Sequence, residues 1–268
     1  MWRTVTIPAL VLSSAVVLSA AGPESGTLAG WARHVASVEA RLAREIQNGP
    51  FLAIDASDRA DERRRMMAGA FVTSAVDTRD AQGREIDVPG GLVHDWRGDV
   101  FIPGATLDQI LARLEHAAPP APPNEVLSSR ILEAGPGWNR VGLILQRRKV
   151  ITVVYSTEHR VTFRRLQPNR AVSTSIATSI NELADYGTPS QRAKAPGDDH
   201  GFLWRWNAYW RFQQTPTGVI AECESISLSR SVPALIRFVA GPVIQSTARE
   251  SMTSALEAMY RAFAAKAQ

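Results

Sequence analysis

Two neighbouring segments late in the chain carry polar side chains at every second position. Residues 202–213 contribute Arg205, Asn207, Tyr209 and Arg211, and residues 218–229 contribute Glu222 and Glu224. Because successive side chains of a strand point to opposite faces, a hairpin around Thr215-Pro216-Thr217 gathers them on one face. We predict the register by pairing Phe212 with Val219. Tyr209 is then opposite Glu222. Asn207 is opposite Glu224.

This set of residues, the polar ladder, has two interpretations. Inside a cavity, it would recognise the polar end of a ligand, and burial would then require complete pairing of its charges. On the surface, it would be an ordinary cross-strand ladder, worth about 0.2–1 kcal/mol per pair. The other hairpin face carries aromatic residues, and we expect that face to be the packing one; they are Trp204, Trp206, Trp210 and Phe212.

A second candidate pair lies in the predicted strand 150–166. Tyr155 and His159 share one face by parity, so both are predicted as polar contacts to a ligand. Glu158 and His159 are adjacent and point to opposite faces, so they do not form a catalytic dyad. Adjacent residues of a polar loop rarely converge on one ion, so Asp198-Asp199-His200 is not expected to bind a metal. We predict neither a metal nor a cofactor.

Composition and motifs exclude several classes of protein. A single cysteine, Cys223, excludes an intrachain disulfide, and its mid-strand position predicts a buried inert thiol. A net charge of +4 over 268 residues is too small to indicate a nucleic-acid partner. No nucleophile elbow, phosphate-binding loop or dinucleotide fingerprint occurs in the sequence.

The first 21 residues follow the plan of a secretory signal peptide. Arg3 precedes an apolar run over 7–18, and Ser19-Ala20-Ala21 supplies the small residues of a cleavage site. An uncleaved membrane anchor is the alternative. We expect removal of residues 1–21 and a periplasmic or extracellular protein.

The remaining pattern predicts an α+β fold. Residues 22–84 are expected to form an N-terminal helical prefix. It contains helices over 27–47 and 59–68 and a short strand over 51–54. The predicted main domain covers residues 85–268. It begins with a strand over 91–101, a helix over 107–116 capped by Thr106, and a proline-rich break over 119–123. A run of strands follows, then helix from Pro233 to Ala265, broken at Gly241-Pro242. Consecutive strands favour a curved antiparallel sheet that wraps the long C-terminal helix.

Three stretches resemble bacterial exported members of the START/SRPBCC superfamily. They are residues 96–107 (Trp96-Arg97-Gly98-Asp99 onward), residues 198–207 (Asp198-Asp199-His200-Gly201 onward) and residues 222–230 (Glu222-Cys223-Glu224 onward). The resemblance covers roughly Ile86 to Ala265. It implies the helix-grip fold and hydrophobic or amphipathic ligands, and it carries over no catalytic residues. The proline-rich stretch 117–124 departs from relatives, which have a second short helix there. This departure predicts an altered or more open cavity mouth.

The leading functional hypothesis is therefore binding or transport of a lipid-like small molecule in an internal cavity. Its predicted ligand-binding residues are Tyr155, His159, Arg205, Asn207, Tyr209, Glu222 and Glu224. The alternative is a cyclase or aromatase that uses Arg205, Tyr209, Glu222 and His159 for acid–base work. A third possibility is an interaction module whose interior is filled by its own side chains. We expect a monomer that makes transient membrane contact to exchange its ligand.

Overall fold

The structure is a computed structural model. It describes residues 22–117, 125–148, 151–195, 197–231 and 237–264, with the side chains of the last helix described from residue 246 onward. The predicted signal peptide and the proline-rich break over 119–123 lie outside these residues and stay predictions.

Helices lie at both ends of the chain, and a long run of strands lies between them. The helices are α1 (Ser25–Asn48), α2 (Ala60–Met67), α3 (Leu107–His116) and α4 (Arg237–Phe263). The strands are β1 (Val72–Ala75), β2 (Gly91–Pro103), β3 (Val126–Gly135), β4 (Trp138–Arg148), β5 (Thr152–Gln167), β6 (Arg170–Ala184), β7 (Arg192–Ala193), β8 (Arg205–Thr215) and β9 (Gly218–Arg230). The predicted helices over 27–47, 59–68 and 107–116 are confirmed within one or two residues. Thr106 caps α3 in a capping box with Gln109, as its residue type predicts.

Two local predictions are wrong. Residues 51–54 do not form a strand, because the chain makes a 3-10 turn over Ala53–Asp55 with the whole apolar run buried. A short apolar run does not distinguish a strand from a buried turn. The terminal helix is also not broken at Gly241-Pro242, because α4 runs through both residues.

The described strands form one antiparallel sheet in the order β1-β2-β9-β8-β6-β5-β4-β3, with β7 paired to the end of β6. The β8–β9 hairpin closes through a two-residue turn, Pro216-Thr217, so that Thr215 pairs with Gly218. The predicted register assumed a four-residue loop and is therefore shifted by two residues. The face of each residue is unchanged by such a shift, because side chains alternate with period two.

One face of the sheet, here called the inner face, contacts α3 and α4. A buried cluster joins the sheet to both helices; it includes Val100, Ile102, Ile110, Leu114, Phe163, Phe212, Met252, Leu256 and Met259. Gly98 permits the close approach of α4, since a β-carbon there would lie 2.8 Å from Leu256 Cδ1. A curved antiparallel sheet against a long C-terminal helix is the predicted α+β helix-grip architecture, which is confirmed.

The opposite face, the outer face, is covered by the N-terminal segments. Trp31, Val38 and Leu42 of α1 pack against Ile226 and Leu228. The 3-10 turn and α2 add a second cluster that includes Phe51, Leu52, Ile54, Met66 and Ile220. Strand β1, which lies within the predicted prefix, forms the sheet edge beside β2. Across the described chain, no helix combines the length and apolarity that crossing a membrane would require.

Leu256→Ala tests the contact between α4 and the inner face. Leu256 is completely buried, so we expect a loss of about 2–5 kcal/mol in the free energy of unfolding, measured by urea denaturation. Leu127→Ala is the control, because Leu127 is 41% exposed and should change stability by at most about 0.5 kcal/mol. Equal losses in both variants would contradict this packing.

Candidate functional site

The polar ladder lies on the outer face, under α1, and not on the face that meets α4. Asn207, Tyr209 and Arg211 are buried, as are Glu222 and Glu224. The observed register places Tyr209 opposite Glu224 and Arg211 opposite Glu222. The surface interpretation is therefore wrong, while recognition of a ligand by the ladder stays a prediction. The ladder neither shares the α4 face nor lies on the surface, because α1 covers it.

Two arginines from different elements hold Glu224. Arg97 of β2 donates from Nε and Nη2 to Glu224 Oε2, at 3.1 and 2.7 Å. Arg41 of α1 bonds the other carboxylate oxygen. Burial, followed by the nearby Asp95 carboxyl, nevertheless raises the pKa of Glu224 above its ordinary value. The carboxylate therefore depends on its two arginine partners to remain charged.

Glu222 is held in the same manner. Arg211 donates from Nε to Glu222 Oε1 at 2.7 Å and from Nη1 to Glu45 Oε2 of α1 at 2.6 Å. The backbone N–H of Ala53 donates to Glu222 Oε2 at 2.7 Å. Burial, and next the Glu222 charge, hold the pKa of the neighbouring Asp99 carboxyl well above its usual range. Sheet, α1 and the 3-10 turn thus meet at these two glutamates.

The remaining ladder residues also bond within the chain. Tyr209 Oη donates to Glu39 Oε1 of α1 at 3.0 Å and accepts from Asn207 Nδ2 at 3.2 Å. Arg205 Nη1 donates to the Trp204 carbonyl at 2.8 Å. Trp204 itself belongs to the outer cluster with Trp31, which corrects its predicted place on the aromatic face. This network is a buried interface between the sheet and its N-terminal cover.

The other two predicted residues lie on the inner face, as parity predicts. Tyr155 is opposite Glu182, and both are buried. The hydroxyl of Tyr155 is buried without a hydrogen-bond partner. His159 accepts or donates at both ring nitrogens, to Thr157 Oγ1 at 3.1 Å and to Ser175 Oγ at 3.2 Å. The seven predicted residues are therefore divided between the two faces.

The inner face is more open than the outer face along β8 and β9. Six aromatic and hydroxyl side chains of this face are half-buried, and together they form what we call the tryptophan–serine patch: Trp96, Trp206, Trp210, Ser175, Ser225 and Ser227. The registers of β2 with β9 and of β8 with β9 place the patch residues of these strands next to one another. Trp96 pairs with Ser225 and Trp206 with Ser227, and the Trp206 indole donates to Ser225 Oγ at 3.0 Å.

The patch lies between two apolar clusters. Trp96 and Trp210 pack against the cluster that contains α4, while Trp206 packs against the cluster of Leu145, Val153 and Tyr155. The Trp206 ring also meets the His159 ring edge-on, with centroids 4.9 Å apart. Burial lowers the pKa of His159 to about 4, and it lowers the pKa of His94, at the β2 end of the face, to about 4 as well.

The proposed catalytic set does not assemble. Arg205, Tyr209 and Glu222 belong to the polar ladder on the outer face, whereas His159 lies on the inner face. Because the sheet separates them, one substrate cannot contact all four residues. Asp198-Asp199-His200 do not converge either. His200 Nδ1 bonds Glu182 at 2.6 Å, and Asp199 accepts from the Gly201 N–H. Among the described side chains, no group of three potential metal ligands occurs.

Sequence reasoning missed the partners that close the ladder and the residues of the patch. The alternation Asp95-x-Arg97-x-Asp99 places three charges on one face of β2, and this period-two signal was available. The serines of β9 alternate in the same way. The charged residues of α1 that bond the ladder carried no such signal. A helical sequence does not show which of its polar residues will meet a given strand. Cys223 is buried as predicted, and it is opposite Trp210.

Glu224→Gln tests the role of the ladder. We expect a loss of about 3–5 kcal/mol in the free energy of unfolding, because Arg41 and Arg97 are left facing a neutral amide. Affinity for a hydrophobic fluorescent probe should be unchanged in the folded protein. Glu158→Gln, at a partly exposed outer-face carboxylate, is the control and should change stability by at most about 0.5 kcal/mol. A loss of affinity without a loss of stability would restore the ladder as a ligand site.

No family model matches the chain, and no curated protein matches it. Solved structures do match. A STAR-related lipid transfer protein fragment from Xanthomonas axonopodis is 16% identical, with 69% of this chain and 98% of that chain covered and a TM-score of 0.39. The human StarD13 lipid transfer and protein localization domain is 7% identical over 77% and 98%, at 0.38. The di-domain aromatase/cyclase StfQ of the steffimycin pathway is 16% identical over 85% and 60%, at 0.37. Similarity at this level transfers no residue roles, so the site stands on the contacts of this chain.

Proposed function

We propose that this protein binds a hydrophobic or amphipathic small molecule on the inner face of its sheet, at the tryptophan–serine patch. The observation that carries the proposal is the partial exposure of three tryptophans on the inner face, which also packs α4. Small-molecule sites are typically apolar and aromatic surfaces with a few well-placed polar groups. The patch has this composition, and the charged outer face does not.

Burial on the outer face supports the same choice. The outer side chains of β8 and β9 are buried against α1, so a ligand there would have to displace ion pairs between the sheet and the helix. On the inner face the tryptophans keep accessible surface. A module with a completely filled interior would bury them, so their exposure also favours a binding protein over a filled interaction module.

Binding or carriage is favoured over catalysis by the chemistry of the patch. Acid–base catalysis needs a positioned group whose pKa lies near the working pH. Burial depresses the pKa of the two nearby histidines to about 4, and the inner-face positions of β2, β8 and β9 carry no carboxylate. We therefore propose a carrier, which exchanges its ligand by transient contact with a membrane.

Trp206→Phe tests the ligand face. Loss of indole area and of the Ser225 hydrogen bond should weaken binding of a hydrophobic probe such as 1-aminoanthracene by about 3–10-fold, that is ~0.7–1.4 kcal/mol. Dissociation constants are measured by fluorescence titration of protein purified without detergent.

The neighbouring Trp204→Phe is the matched control, because Trp204 is 7% exposed and lies with the outer cluster. It should keep the dissociation constant within about twofold. The opposite ranking of the two variants, or no probe binding by the unmodified protein, would contradict the proposal. Native mass spectrometry of the same sample reports any ligand retained from the cell.

We also propose that the carrier works outside the cytoplasm, after removal of residues 1–21. The sequence pattern of that segment supports this step. N-terminal sequencing of the protein recovered from the periplasm or medium should begin at Gly22. A mature chain that still begins at Met1 or Trp2 would contradict it.

A further inference from the structure

The polar groups of the tryptophan–serine patch are all uncharged. Three serine hydroxyls and three indole N–H groups provide them. Because the Trp206 indole already donates to Ser225 Oγ at 3.0 Å, the hydroxyl of Ser225 keeps its own proton for another acceptor. The patch therefore offers hydrogen bonds without offering a counter-charge.

His159 extends this neutral surface. A neutral imidazole donates through one ring nitrogen and accepts through the other, so its two hydroxyl partners are not equivalent. Of Thr157 and Ser175, one accepts from the ring and keeps its proton, while the other donates to the ring and keeps free lone pairs. Ser175 is itself a half-buried member of the patch, and the His159 ring that it bonds meets Trp206 edge-on. A hydroxyl or a carbonyl group suits such a surface.

Among the described side chains, two charged groups on the β4–β6 side of the inner face have ion-pair partners. Glu182, opposite Tyr155, bonds both Lys194 and His200. Arg147 pairs with Glu125. A charged ligand group at the patch would lose its water and gain no opposite charge from these residues. Such a transfer is strongly unfavourable, whereas a neutral oxygen needs only hydrogen bonds.

We infer that the patch selects an uncharged ligand, whose polar atoms are hydroxyl or carbonyl oxygens, over ligands with anionic or cationic headgroups. This inference rests on the proposed function and narrows it to a class of neutral amphiphiles. The strands β2, β8 and β9 accordingly separate two chemistries: their charged side chains are paired on the outer face, and their uncharged donors and acceptors face the ligand.

The test compares three probes that share one apolar body: 1-pyrenebutanol, 1-pyrenebutyrate and 4-(1-pyrenyl)butyl-trimethylammonium. Their dissociation constants are measured at pH 7.5 by energy transfer from tryptophan to pyrene. We expect the alcohol to bind at least about tenfold more tightly than either ion.

A variant separates recognition of the polar group from differences in probe hydrophobicity. Each probe has the same cost of leaving water whichever protein it binds, so a change in preference between two proteins reports their own contacts. In the double variant Ser175→Ala with Ser225→Ala, the preference for the alcohol should fall by about 3–10-fold. Ser179→Ala is the control on the same strand, since Ser179 pairs with Glu158 on the outer face, and should leave the preference unchanged.

An ion that binds as tightly as the alcohol overturns the inference, as does a preference that is unchanged in the double variant. Tight binding of an ion leaves the proposed function standing. If none of the three probes binds, the proposed function itself fails. The two failures are thus distinguishable in one set of titrations.

Discussion

Two glutamates buried in the middle of the sheet constrain the rest of the molecule. Glu222 and Glu224 are each 1% exposed, and a carboxylate so far from water needs opposite charges and hydrogen bonds of its own. The sheet supplies Arg97 and Arg211, and the N-terminal cover supplies Arg41 and the Ala53 N–H. The cover is therefore required by the chemistry of the outer face. Because that face is closed by ion pairs, a ligand is left with the inner one.

The inner face follows a different rule. It is held to α3 and α4 by apolar contacts, and the polar groups around the three tryptophans are neutral: serine hydroxyls, indoles and two histidines of depressed pKa. Three tryptophans lie between the α4 cluster and the Tyr155 cluster and keep partial exposure. Ion pairs cover one side of the sheet, and the other side presents these partly exposed rings.

Period-two alternation predicted much of this arrangement. It placed Asn207, Tyr209 and Arg211 with Glu222 and Glu224 on one face, and it placed Tyr155 with His159, and both groupings are observed. The register was missed by two residues, because it depends on how many residues the turn takes and not on the pattern of the strands. The aromatic face was expected to be the packing one, and Trp210 and Phe212 do pack with the α4 cluster; what covers the polar face was left open. That choice depends on where α1 docks, and the positions of Glu39, Arg41 and Glu45 on a helix do not identify their partners. Trp204 was misplaced for a related reason, since it precedes β8 and does not follow its alternation.

The central claim is that the ligand is held on the inner face. Photo-crosslinking tests it most directly: a long-chain alcohol that carries a diazirine is bound, irradiated and located by peptide mass mapping. The account predicts labelled peptides of β8 and β9, with the label at inner-face positions such as Trp206 and Ser225. Label confined to α1, or to exposed apolar residues such as Leu127 and Phe202, would contradict it.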